Sequence, residues 1–442
     1  MQLIRHAFIY TGAQEERIIE DGAVAVDGAF IREVGEDRVL SAKYPEAEVL
    51  DAEGKFCMPG FINAHEHIYS EFARGCAFPG GPFHGFLDVL EKVWWPLDRV
   101  LTKEDIYYSA LCTYIECIKN GVTTVIDHHA GYGAIEGSLS EIARAAEQTG
   151  VRTCLCYEVS DRDGFNKCRK AIDENASFIE ETGRKNTDML KALFGLHASF
   201  TLSDDTLQAV RRANENGAGY HVHIAEGAYD EKDCEEKYGC SIVQRFHQEG
   251  ILGSHTIAAH CIHISEKDMG ILKDTDTMVV HNPESNMNNA VGSPNVLAMY
   301  DRGITVGLGT DGYGQDMLRS MQTAAILQKY RHGNPARGTG EAEGLLLSGN
   351  PEIVRRIFGV SVGNLKEGAA ADIILMNYSP FTPLDENTVG SHLLFGLTGA
   401  LTDTVFINGR CVMQGRKILT VDEEAIEREA RELSPALWKR IR

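Results

Sequence analysis

From residue 58 to residue 358 the chain repeats one alternation, a short apolar run followed by a longer stretch with apolar residues at helical spacing. The runs fall at 60–65, 123–127, 153–158, 192–197, 220–225, 256–261, 278–281 and 304–309. Strands joined by helices lie parallel, because each crossover carries the chain back to the same end of the sheet. Eight such units over about 300 residues predict an α/β fold, a (β/α)8 TIM barrel. The stretches 103–120, 139–149 and 204–216 close with, or run into, the Gly and Asn residues that stop helices.

The flanks follow another pattern. Residues 3–10, 22–28 and 31–34 alternate apolar runs with turn residues, and 371–376 and 405–412 do the same. The two ends are expected to pair, 1–57 with 359–420, as a composite β-sandwich, with the barrel 58–358 as the insert between them. Residues 421–442 are charged and rich in Ala and Glu, which predicts a terminal helix.

Active sites of such barrels lie at the C-terminal ends of the strands. Here those ends carry His65-Glu66-His67, Asp127-His128-His129, Glu158, His197, His221-Val222-His223 with Glu226, His260, His281 and Asp311. His65 and His67 are two apart on an extended segment, so both imidazoles point to one side, toward the barrel axis. The fifth strand offers His221 and His223 on one face, and the eighth offers Asp311. Three nitrogens and one carboxylate suit one divalent ion, zinc as first choice and ferrous iron as second, with a position left for water. Such an ion lowers the pKa of that water and supplies a nucleophile.

Plainer readings compete for several of these residues. A lone H-x-H is usually accidental; the second pair and the late Asp give it weight. His128 and His129 could cap their strand, and Glu158 and His197 could orient neighbouring groups. His281 could hold the turn at Asn282-Pro283-Glu284-Ser285-Asn286. Gly307-Leu308-Gly309-Thr310-Asp311-Gly312 spells a dinucleotide fingerprint but lacks the second strand and following acid that motif requires. Its glycines are expected instead to let backbone pack closely beside Asp311.

Composition narrows the partners. A net charge of -21 argues against nucleic acid or an anionic membrane surface. No run is long and apolar enough to span a membrane, and the opening residues lack the pattern of a secretory signal. The eleven cysteines form no C-x-x-C pair, which predicts reduced thiols and a cytoplasmic location.

Taken together, Pro59-Gly60-Phe61-Ile62-Asn63-Ala64-His65-Glu66-His67, His223-Ile224-Ala225-Glu226, His281 to Asn286 and Gly309-Thr310-Asp311-Gly312 resemble the amidohydrolase superfamily, in its deaminase and chlorohydrolase branch. Trp94-Trp95-Pro96-Leu97-Asp98-Arg99 and Ser285-Asn286-Met287-Asn288-Asn289 are similar to SsnA-type aminohydrolases. The resemblance implies His65, His67, His223 and Asp311 as ligands of a single metal, His223 being preferred to His221 for its distance to Glu226. It also implies a homodimer and a small heterocyclic substrate, with a hint of purine catabolism. Glu226, His260 and Asp311 are the expected catalytic groups, and His197, His128 and Glu158 the expected substrate contacts. The implied reaction is hydrolytic deamination of a cyclic amidine. Asp311 takes a proton from water, His260 steadies the developing oxyanion, and Glu226 protonates the ring nitrogen. Dechlorination or opening of a cyclic amide could use the same groups, with the choice made by loops such as 71–87 and 160–165. Cys76, Arg74 and Arg162 are further candidates for substrate contact or for packing. A catalytically silent scaffold is the alternative of a different class, and the P-C-x-x-C signature of the nucleobase-editing deaminases is absent.

Overall fold

Apolar runs bounded by capping residues become strands and helices where the sequence places them. Thr102 and Asp105 bond each other's backbone N–H groups and start the helix Lys103–Lys119; Ser241 with Gln244, and Ser265 with Asp268, do the same for Ile242–Gln248 and Glu266–Asp274. Gly150, at φ 86°, ends the helix Ser138–Thr149 in a left-handed turn that glycine alone adopts without strain. The computed structural model describes residues 1–12, 17–78 and 80–441. Pro79, in the 71–87 loop, residues 13–16 of the N-terminal segment and the final Arg442 lie outside the described residues.

The barrel is present. Its strands are Phe61–Glu66, Val122–Asp127, Arg152–Leu155, Leu190–Ala192 continued by Phe194–Ala198, Tyr220–Ile224, Ile257–His260, Met278–His281 and Val306–Leu308. Every neighbouring pair runs parallel. The fourth strand is split at Leu193, whose N–H donates to Leu155 O (3.0 Å), whereas Phe194 N–H donates to Gly219 O (2.9 Å). One half therefore pairs backward and the other forward. The ring closes where Thr310 and Asp311 both donate N–H groups to His65 O, at 3.0 and 2.9 Å. Gly309 permits that closure: a Cβ there would lie 2.7 Å from His65 O and 2.8 Å from His65 Cβ. Gly309 of the dinucleotide-like run thus serves close packing at the seam.

Some boundaries differ from the sequence reading. The third strand stops at Leu155 rather than 158, because Tyr157 and Val159 make single bridges to His129 and Leu196 on opposite neighbours. The stretch 204–216 is helical only over Asp204–Ala213, since Asn214 accepts from Ala218 N–H and folds the chain into a turn.

The chain ends join in one antiparallel and parallel sheet of nine strands that includes Phe56–Pro59 and Ile373–Asn377. It curls over its own apolar core, with Ile4, Ile9, Val24, Ile373, Leu375 and Phe406 buried inside. It is tied to the barrel by an ion pair between Arg152 of the third barrel strand and Asp372, both side chains fully buried. Removing one partner leaves the other as an uncompensated buried charge. Asp372→Ala is expected to cost about 3–5 kcal/mol, read as a lower denaturant midpoint at unchanged slope. The C-terminal helix, Glu423–Arg440, lies on Lys103–Lys119 through Lys119–Glu423 and Arg440–Asp105 ion pairs. No helix among the described residues is long and apolar enough to cross a membrane.

Candidate active site

The strand ends gather the predicted side chains at one mouth of the barrel. Nitrogens of His65, His67 and His223 lie within 4.8 Å of one another, as do atoms of His65, His260 and Asp311. Asp311 Oδ1 is 2.9 Å from His67 Nε2 and 3.7 Å from His65 Nε2. His65, His223, His260 and Asp311 are buried, and the His67 side chain is 11% exposed.

Whether a cation fits is decided by the ring protons. His67 Nδ1 is 2.6 Å from His128 O, and His223 Nδ1 is 2.9 Å from His197 O. A carbonyl only accepts, so each Nδ1 carries a proton, and in neutral rings each Nε2 presents a lone pair. Those two Nε2 atoms face each other at 3.2 Å. The buried Nε2 of His65 has no hydrogen-bond partner among the described residues. Lone pairs so arranged repel unless a cation lies among them, and three imidazole nitrogens with a carboxylate are a suitable donor set. Of the two fifth-strand histidines, His223 faces this cluster; His221 lies behind it, its Nε2 2.8 Å from His65 Nδ1.

Electrostatics keep two of the rings neutral and the carboxylate charged. Burial pulls His65 down to about 4 and, reinforced by neighbouring imidazoles, holds His223 well below its ordinary value. Burial opposes charge on Asp311 too, but attraction to His67 and His260 together with polar contacts from His65 and His67 outweighs it and keeps the carboxyl far below the usual range. Against its burial, the same carboxylate carries His67 up to about 9, so a cation taking its Nε2 would displace a proton there. Beside them, Glu226 is pushed well above the carboxylate range, first by burial and then by Asp311. His260 Nε2 lies 3.6 Å from Glu226 and 4.0 Å from Asp311, without a hydrogen bond, while its Nδ1 is fixed 2.8 Å from Asn286 Oδ1. Ala225, His260 and Asp311 have φ of 49°, 72° and 58°, a left-handed backbone that costs non-glycine residues of order 1–3 kcal/mol each.

A cleft opens above the cluster, lined in its inner part by His67, Tyr69, Trp95, Glu158 and His197 among others. An apolar outer part, with Phe86, Leu87, Phe200, Tyr229 and Val291, shares His197, His223 and Glu226 with it. His197 and Glu158 thus stand where the sequence reading expects them. His128 does not: it is fully buried beneath the cluster, its ring 4.5 Å from that of His223, and its Nε2 donates to Leu196 O. Its carbonyl, not its ring, serves the site. His129 is buried against Tyr157, and His281 lies 3.4 Å from the Asn286 amide, inside the turn it was expected to hold.

Sequence reasoning did not single out Asp98, which faces the cleft and binds Arg162 at 2.5 Å, with Glu158 on the same guanidinium at 3.2 Å. Arg162 is occupied there, stacked over Tyr132. Asp98 and Arg162 are 64 positions apart, so no local signal joins them. Arg74 is engaged by Glu71 and Glu116, and Cys76 packs on the core.

The Amidohydrolase family profile matches residues 56–412. The chain belongs to that family. Over 440 residues this amidohydrolase is 32% identical to a 5-methylthioadenosine/S-adenosylhomocysteine deaminase of Desulforudis audaxviator, covering 97% of both chains. Its fold matches an adenosine deaminase of Xanthomonas campestris solved with bound zinc, at a TM-score of 0.87 and 21% identity over 99% of this chain and 98% of the other. It also matches an atrazine chlorohydrolase of Arthrobacter aurescens complexed with zinc, at a TM-score of 0.85 and 21% identity, covering 98% of this chain and 100% of the other.

Proposed function

We propose that this amidohydrolase is a hydrolytic deaminase of a nitrogen heterocycle, a purine-, pterin- or pyrimidine-like cyclic amidine, and that it releases ammonia. The observation that carries the reading is the convergence of a buried acid, Glu226, and the His260 Nε2 on the Asp311 carboxylate beside three inward-facing imidazoles. His65, His67, His223 and Asp311 would hold one divalent ion, zinc first and iron second. Such an ion supplies Lewis acidity, which makes water a nucleophile near neutral pH.

The chain's own groups do the rest. Asp311, kept ionised, accepts the proton of the attacking water. His260, its Nδ1–H held by the Asn286 amide oxygen, points a bare, unpartnered Nε2 at the attacking water and steadies it by accepting its hydrogen bond as the ring carbon becomes tetrahedral. Glu226, kept protonated by burial, gives its proton to the ring nitrogen and relays one to the departing amine. His197 and Glu158 contact the substrate from the cleft wall.

Among heterocycles, a purine nucleoside carrying an uncharged substituent is favoured. The 32% identity to a deaminase named for adenosine derivatives supports it, as does the cleft. Asp98, Glu158, Glu226, Asp230 and Asp311 line its two parts, and no Lys or Arg does among the described residues. A phosphate there finds no lysine or arginine on the cleft wall to pair with. Ammonia release by metal-replete protein, screened over purines, their nucleosides, pterins, pyrimidines and triazines, tests the reading. Neutral nucleosides are expected to exceed their 5′-phosphates by at least about 100-fold in kcat/KM, the ratio for about 2.7 kcal/mol of lost transition-state binding. Release from none of the classes would refute the deaminase. Chloride release from a triazine is the second reading, favoured by the shared fold of the atrazine enzyme. A cytoplasmic homodimer acting in purine catabolism, with the barrel 58–358 as its catalytic unit, completes the proposal.

A further inference from the structure

Three side chains of the cluster must offer bare nitrogens, and two are held in that state by backbone carbonyls, which the fold supplies whatever the side chains. His65 is the exception. Its Nδ1 meets not a carbonyl but His221 Nε2, 2.8 Å away. Either ring can donate in that pair, so its direction is set further along. His221 Nδ1 lies 3.8 Å from Cys156 Sγ, and the Cys156 thiol donates to Asp127 O at 3.5 Å. With its proton committed to a group that only accepts, the sulfur is left as acceptor for His221 Nδ1–H. The neutral His221 ring then has a bare Nε2, which accepts from His65 Nδ1–H and leaves the His65 Nε2 lone pair facing the cluster. The opposite polarity would put a proton on His65 Nε2, where a ligand needs a lone pair. All three side chains are fully buried, so water does not compete for these bonds.

We propose that His221, oriented by Cys156, is a positioning residue that holds His65 in the tautomer able to bind the cation. It rests on the ligand set proposed above. Two substitutions separate this role from packing. His221→Gln places an amide oxygen, which only accepts, near the position of Nε2. His221→Phe keeps the ring shape and removes the acceptor. Zinc affinity of the stripped full-length protein, from competition with a chromophoric chelator, is expected to fall about 10–100-fold in His221→Phe and to stay within about threefold of wild type in His221→Gln. The visible spectrum of the cobalt-substituted protein should shift in the first variant and not in the second. A packing role predicts the reverse order, so a Phe variant that binds zinc as wild type does, or a Gln variant as weak as the Phe one, overturns the proposal. Should the Phe variant not fold, Cys156→Ala replaces it, with weaker zinc binding expected and unchanged affinity contradicting the relay. Wild-type protein that takes up no cation would instead overturn the ligand set, and this role with it.

Discussion

Glu226→Gln is expected to lower kcat by about a thousandfold while bound zinc stays at the wild-type level. The amide keeps the shape of the acid and can still donate a hydrogen bond, but it cannot give up and regain a proton. Glu226 follows the fifth strand by two residues, in a backbone turned left-handed at Ala225, and that turn carries the carboxyl over the cluster rather than into it. Its distance from His260 Nε2, 3.6 Å, puts it within reach of a substrate held between them. Burial and the Asp311 charge favour its protonated form, so the acid is available near neutral pH. The sign of the pH dependence follows: turnover needs the proton on Glu226 and declines as pH rises through its raised pKa, and the Gln variant lacks that limb. Near-normal turnover in Glu226→Gln would remove the proton relay from the mechanism. Metal analysis beside the kinetics separates that outcome from simple loss of the ion.

Stripping the cation should have a larger effect. Chelation is expected to reduce turnover below detection, and zinc to restore it, because no side chain in the cleft replaces Lewis acidity. His67→Ala removes the imidazole that faces both His223 Nε2 and Asp311 Oδ1, and zinc at wild-type saturating concentration should not restore this variant. Thermal stability gives an independent reading. A ligand that binds only the folded state at 100 times its Kd adds about 2.7 kcal/mol, so zinc should raise the Tm of the wild type and leave that of His67→Ala nearly unchanged. Full activity after exhaustive chelation would refute the metal-dependent mechanism.

Much of this architecture is legible in the sequence because it depends on period. An apolar run that alternates with helical spacing must bury itself in a parallel sheet, and eight such runs close on themselves. Residues two apart on a strand share a side, which put His65 with His67 and His221 with His223 before any coordinates. Caps such as Thr102 with Asp105 marked helix starts because the orphan N–H groups of a first turn need nearby acceptors. The boundaries that slipped, at 155 and 213, are those where a side chain or a second neighbour captured the backbone.

What the sequence determined by itself was therefore the barrel, the paired ends and the short roster of groups at its mouth, since spacing and residue type suffice for these. The tertiary structure alone decided depth and direction: that His223 faces the cluster while His221 supports His65 from behind, that the carbonyl of His128 is used and its ring is not, and that Asp98 meets Arg162. Each depends on atoms contributed by a different strand or loop, and the hydrogen bond that fixes a ring proton exists only once those segments have come together.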